Sequence, residues 1–146
     1  MENILNYIKI NENISTSGQP NQQQFELISQ CGYEVVINLA LHNASNAIDH
    51  EDKAVTDLGM SYFHIPVIFD NPTLEQLKLF IDVMSINKNR KVWVHCALNY
   101  RVSAFMYVYH KYFLQTPFEE IDLSLLEQWQ PDNSWQDILK AKIEDL

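Results

Sequence analysis

The chain has 146 residues, 47% hydrophobic and 20% charged, enough apolar material for one compact domain spanning residues 1–146. A formal net charge of −9 argues against nucleic acid and anionic membrane surfaces as partners, since both call for clustered Lys and Arg. No apolar run reaches the roughly 18 residues of a spanning helix, Met1 to Ser15 lacks the features of a secretory leader, and Cys31 and Cys96 are too few for a disulfide framework, so a cytoplasmic location is expected.

In chain order, a strand is predicted around Tyr7 to Asn11, after which Ile14-Ser-Thr-Ser-Gly-Gln-Pro20 turns the chain. A helix runs from about Asn21 to Cys31, with Phe25, Ile28 and Cys31 on one side and Gly32 as its stop. The β-branched run Glu34 to Leu39 predicts a buried strand. Asp49 to Leu58 reads as a helix stopped at Gly59, within which His50-Glu51-Asp52 is expected to be a solvated face. Tyr62 to Val67 is a further strand, ended by Pro66. Thr73-Leu-Glu-Gln76 matches a capping box, and Leu77, Phe80, Ile81 and Met84 supply an apolar face behind it.

Lys91 to His95 predicts another strand, and Arg101 to Leu114 a largely apolar, mostly buried helix. Thr116-Pro-Phe-Glu119 matches a second capping box with Pro at the first helical position, and a last helix follows the turn at Gln130-Pro-Asp-Asn133. Trp129 and Trp135 beside that turn read as core or docking residues. Strands alternating with helices imply an α/β fold with a mainly parallel central sheet flanked by helices. Ligands in such folds bind at the carboxyl ends of the strands.

The chemistry concentrates in Val92-Trp-Val-His-Cys96-Ala-Leu-Asn-Tyr-Arg101-Val-Ser103, where an apolar strand ends in His-Cys and Arg101 follows after four residues. A strand-to-helix turn points backbone N–H groups inward, and the helix dipole adds about half a positive charge. Together they form a cradle for a tetrahedral anion, with Ala97, Leu98, Asn99, Tyr100, Arg101 and Ser103 as the candidate phosphate-binding residues. A thiol at a helix N-terminus beside a cation ionises readily, which makes Cys96 the candidate nucleophile. Arg101 offers a planar fork that grips two oxygens at once. Asn99 stands where such a loop wants a positive φ, which Asn tolerates best after Gly. Ser103 either donates to the thiolate or bonds back to its own helix. His95 is expected to orient the loop rather than act as a base, and Tyr100 either lines the pocket mouth or packs. His42, His50, His64, His95 and His110 show no ligand spacing, so no metal site is predicted.

SGQP, VVINL, YFHIPV, Asp70 and VHC…R occur in that order between about Ser15 and about Phe113. This set resembles the protein tyrosine phosphatase superfamily, especially small dual-specificity-like bacterial members whose loop is Cys, four residues, Arg. The resemblance implies that the Cys96 thiolate attacks phosphorus in line, forming a thiophosphoryl enzyme while Arg101 and the loop amides hold the oxygens. It implies that Asp70, in IFDNPT, protonates the leaving oxygen and then helps water remove the phosphoryl group. The competing role for Asp70 is an Asx turn ahead of Pro72 and Thr73. The implied substrate is a phosphorylated small molecule or a phosphoprotein, and no cofactor is implied.

The loop departs from the superfamily's usual form, being one residue shorter than the Cys-x5-Arg of established phosphatases, without Gly and with Val102 after Arg101. Ser103 keeps its offset of seven from Cys96, which puts the missing residue between Cys96 and Arg101. Loss of one well-aimed donor costs about 10²–10³ in rate, so weak activity is one expectation. Two other readings share the motif. One is a non-catalytic module that binds phosphate; the other is a rhodanese-like sulfurtransferase carrying a Cys96 persulfide, in which Asp70 has no part.

Overall fold

The computed structural model describes residues 1–146 and gathers the strand segments into one five-stranded sheet. These are β1 (Ile8–Lys9), β2 (Ile14–Ser17), β3 (Val35–Asn38), β4 (Ser61–His64) and β5 (Val92–His95), in the order β1-β2-β5-β3-β4. All neighbours run parallel except β1, which pairs antiparallel with β2 at the edge. The result is the expected α/β architecture.

Alternation along the strands divides the core. Val36 and Trp93 face a smaller cluster with Phe25 and Ile28 of α1 (Gln22–Gln30) and Val55 of α2 (Glu51–Thr56). Val35, Ile37, Val92 and Val94 face a larger one, packed against α3 (Leu74–Ile86), α4 (Tyr100–Tyr109) and α6 (Asn133–Leu139). The capping box of α3 forms as expected, the Thr73 hydroxyl accepting from the Gln76 amide at 3.1 Å and the Gln76 carboxamide accepting from the Thr73 amide at 3.1 Å. No helix is long and apolar enough to cross a membrane.

Two expectations need correction. The stretch from Ile14 to Ser17 does not turn the chain; it is β2, paired with β5 over its whole length and buried throughout. Its polar side chains are buried because each is hydrogen-bonded: Ser15 Oγ to Tyr33 Oη at 2.6 Å, Thr16 Oγ1 from Asn99 Nδ2 at 3.0 Å, and Ser17 Oγ from Trp93 Nε1 at 2.8 Å. The turn is confined to Gly18-Gln-Pro20. The capping box at Thr116 is absent as well. The Thr116 hydroxyl pairs with His110 Nδ1 at 2.8 Å, at the end of a π-helical turn (His110–Leu114) that extends α4. Only a 3₁₀ turn (Phe118–Glu120) follows. The next helix, α5 (Ser124–Trp129), starts later, its Ser124 amide held by Asp122 at 2.9 Å.

Phe80 is fully buried, with its ring 5.6 Å from that of Phe105, whereas Ile86 on the same helix is 72% exposed. Phe80→Ala is expected to lower unfolding free energy by about 3–5 kcal/mol. Ile86→Ala is expected to stay within about 0.5 kcal/mol of the parent chain. Urea midpoints at unchanged slope provide the measurement.

Candidate active site

β5 lies between β2 and β3, so the chain leaves it at the centre of the sheet's carboxyl edge. The last of its amides to be paired is that of Cys96, on the Ser17 carbonyl, 3.4 Å. Beyond it, the backbone amides from Ala97 through Val102 make no hydrogen bond within the chain, and the first bond of α4 is Ser103 N–H to the Asn99 carbonyl, 3.0 Å. Asn99 is left-handed (φ 68°, ψ 12°), as expected for the residue standing in for Gly. Its Nδ2 donates to the Asn6 carbonyl at 2.8 Å and to Thr16 Oγ1 at 3.0 Å, while its Oδ1 is buried without a partner.

Arg101 is the first turn's cation and is 7% exposed. Its Nη1 donates to the Val67 carbonyl at 2.8 Å, its guanidinium lies 5.7 Å from the centre of the Phe69 ring, and its Nε is buried without a partner. It joins no carboxylate in an ion pair. Arg101, buried Cys96, Ala97, Leu98, Tyr100 and Phe69 line one cavity of about 50 Å³. Tyr100 both lines this mouth and packs, its ring stacked on Trp129 at 5.3 Å. Ser103 is back-bonded, its Oγ donating to the Asn99 carbonyl at 2.6 Å.

Asp70 sits on the exposed turn between β4 and α3, has no hydrogen-bond partner and does not line the cavity. Its chain neighbours are held to the site nonetheless: the Val67 carbonyl by Arg101, and the Phe69 carbonyl by Trp135 Nε1 at 2.7 Å. Trp135 is fully buried and Trp129 packs edge-to-face against it, in keeping with their expected core or docking roles.

One sequence expectation fails here in an informative way. His50-Glu51-Asp52 is not wholly a solvated face: Glu51 is 4% exposed. His50 takes a left-handed backbone (φ 53°), which turns the first residue of α2 toward the core. The Glu51 carboxylate lies 2.6 Å from His95 Nε2 and accepts from Gln19 Nε2 at 2.6 Å. The other nitrogen of His95 is 3.1 Å from the Cys96 carbonyl. The two ring nitrogens thus face one oxygen each, the Glu51 carboxylate and the Cys96 carbonyl. Burial works to raise the pKa of Glu51, but the His95 charge and hydrogen bonds from His95, Gln19 and Tyr62 outweigh it and hold the carboxyl below its usual range. Burial, then the Glu51 charge, push the Tyr62 phenol well up. His95 thus meets the loop backbone at Cys96, backed by a carboxylate that no local pattern announced. Gly18 of SGQP also gains a reason: a Cβ there would sit 2.7 Å from the Ala97 carbonyl oxygen.

A strand ending in a buried thiol, a helix opening on unpaired amides and one arginine closing the ring agree with what comparison finds. Residues 8–137 match the family described as DSP-PTPase phosphatase fused to NAD+ kinase. The chain belongs to this family. A phosphatase candidate from Shewanella putrefaciens CN-32 is 36% identical, superposes with a TM-score of 0.85, and the match covers 94% of this chain and 91% of that one. P. aeruginosa TpbA, a cysteine-to-serine form in complex with phosphotyrosine, shares the fold at 14% identity with a TM-score of 0.70, covering 97% of this chain and 86% of that one. A beta-lactamase hydrolase-like protein of Xylella fastidiosa is 30% identical over 92 residues, 61% of this chain and 21% of that protein. The chain thus spans about a fifth of that relative's length. The dual-specificity-like protein tyrosine phosphatase fold anticipated from the motif order is the fold observed.

Because the folded Glu51 pKa lies below its ordinary value of 4.5, its contribution to stability is complete above that value and is lost as pH falls through the lowered one. The parent chain should therefore be more stable than Glu51→Gln at pH 7, with the gap closing below about pH 4.5. Urea unfolding of both proteins from pH 7 to pH 3 checks this; a gap that stays constant would contradict an ionised Glu51.

Proposed function

We propose that this chain is a cysteine-dependent phosphatase acting on a phosphomonoester. The observation that carries the reading is Arg101, a buried cation with no carboxylate partner and an unsatisfied Nε, sharing a cavity with Cys96 at the head of a helix with open amides. A buried charge without a counter-ion is costly, and a bound dianion supplies the missing partner.

In the first step the Cys96 thiolate attacks phosphorus in line. An S–P bond forms as the ester P–O bond breaks, and Asp70 gives its proton to the departing oxygen. In the second, water attacks the thiophosphoryl group, ionised Asp70 takes the water's proton, and inorganic phosphate leaves with the thiolate restored. The amides of Ala97, Leu98, Asn99 and Tyr100, with the Arg101 guanidinium, neutralise the equatorial oxygens throughout. Asp70 is exposed and unpartnered, free to meet a leaving group at the mouth, while Val67 and Phe69 tether its turn to Arg101. Phe69 and Tyr100 present flat apolar walls, which favour an aryl phosphate such as phosphotyrosine, the ligand seen with the TpbA fold relative.

Hydrolysis of a generic aryl phosphate between pH 5 and 7, under reducing conditions, tests the assignment. Cys96→Ser should abolish turnover. Arg101→Ala should lower kcat/KM by at least about 10²–10³, and Asp70→Asn should lower kcat by about 10²–10⁴. Phosphate binding by a parent chain that never turns over would make the loop an anion receptor. A persulfide on Cys96 after thiosulfate treatment, without phosphatase activity, would mark a sulfurtransferase.

A further inference from the structure

We infer that Asn6 and Asn46, far from the loop in sequence, are positioning residues that aim its amides, an inference that rests on reading the loop as an anion cradle. A trans peptide unit is planar, with its C=O and N–H pointing in opposite directions. Fixing the carbonyl on the outside of a loop therefore fixes the following amide on the inside. Every carbonyl from Cys96 to Asn99 has such an outer partner. His95 Nδ1 lies 3.1 Å from the Cys96 carbonyl, and the Asn99 carbonyl accepts from the Ser103 amide at 3.0 Å and hydroxyl at 2.6 Å. Between them, the Ala97 carbonyl accepts from the Gln19 amide and from Asn46 Nδ2, both at 3.0 Å. The Leu98 carbonyl accepts from Asn6 Nδ2 alone, at 2.9 Å.

The hierarchy follows from those counts. Asn46 shares its task with a backbone amide, so the Leu98 N–H stays aimed without it. Asn6 shares with nothing, so its loss frees the Leu98–Asn99 peptide to rotate and withdraw the Asn99 N–H. Asn6 is itself held in place. Its backbone is left-handed (φ 51°), its carbonyl accepts from Asn99 Nδ2 at 2.8 Å, and the Leu5 carbonyl beside it accepts from the Gly18 amide at 2.7 Å. The two segments are thus tied in both directions, the Asn6 side chain to the Leu98 carbonyl and the Asn99 side chain to the Asn6 carbonyl. In a loop one residue shorter than usual, each remaining donor carries a larger share of the charge, and its aim matters more.

The test compares Asn6→Gly, which keeps the left-handed backbone without the side chain, with Asn46→Ala. Aryl phosphate kinetics and calorimetric affinity for tungstate, a tetrahedral dianion, are read alongside urea unfolding. Asn6→Gly should lower kcat by roughly 10- to 100-fold with KM changed far less, and weaken tungstate binding about tenfold or more. Asn46→Ala should lose less than about tenfold in kcat. An Asn6→Gly chain that is less stable yet keeps its kcat and tungstate affinity would reduce Asn6 to a structural tie and overturn the inference. Equal or larger losses in Asn46→Ala would overturn the hierarchy. A parent chain that does not bind tungstate would sink the cradle itself, and this inference with it. One that binds tungstate without turnover would leave the inference to be decided by tungstate affinity, where unchanged binding in Asn6→Gly overturns it.

Discussion

The rest of the structure depends on one concentration of unbalanced positive charge. Six successive amides, Ala97 to Val102, and a buried guanidinium without a counter-ion meet at the end of the central strand. Unsatisfied groups of this kind cost free energy wherever they are buried, so the surrounding structure has to over-determine them. It does so by placing β5 between two parallel partners, with Ser17 and Asn38 both in register with His95. The strand cannot shift without breaking pairing on both sides, and α4 is anchored in the larger cluster by Val102, Phe105 and Val108. The loop is the short joint between a strand paired on both sides and a helix packed into the core.

A second layer ties the far side of the molecule to that joint. Trp135, on α6, is buried against the rings of Phe69, Phe105 and Trp129, and its indole N–H holds the Phe69 carbonyl. Trp129, at the end of α5, stacks on Tyr100. The two C-terminal helices therefore grip the turn bearing Asp70 from one side and the first residue of α4 from the other. Aromatic side chains suit this task because they lose little rotamer freedom for the area they bury.

What could be read in sequence was whatever has a local signature. The Thr73 capping box, the β-branched run of β3 and the His-Cys…Arg spacing each announce themselves within a few residues; the first two took the expected form, and the third sets Cys96 and Arg101 on one cavity. β2 was illegible because hydropathy treats Ser15, Thr16 and Ser17 as surface residues. Only their distant partners Tyr33, Asn99 and Trp93 make their burial tolerable. Glu51 misleads for the same reason. An acidic residue in a helix's first turn already has a local explanation in the dipole, and nothing nearby reveals the imidazole waiting 44 positions away. Thr116 is the reverse case, a pattern matched in letters but pre-empted by His110. The donors and acceptors were visible; their pairings, set by the fold, were not.

The overall charge of −9 is compatible with the proposed anion-binding loop because the two act over different distances. Exposed carboxylates act through water, where ionic screening removes most of their effect beyond about 8 Å at physiological salt. The amides and Arg101 act at contact, in a cavity of about 50 Å³ walled by Phe69 and Leu98, where the medium is far less polarisable. On the proposed function, the acidic surface bears mainly on how fast an anion arrives, and the loop on how firmly it is held. Glu51, a buried carboxylate, has its own partners. It accepts from Gln19 and lies against one nitrogen of His95, whose other nitrogen meets the carbonyl of the residue that carries the thiol.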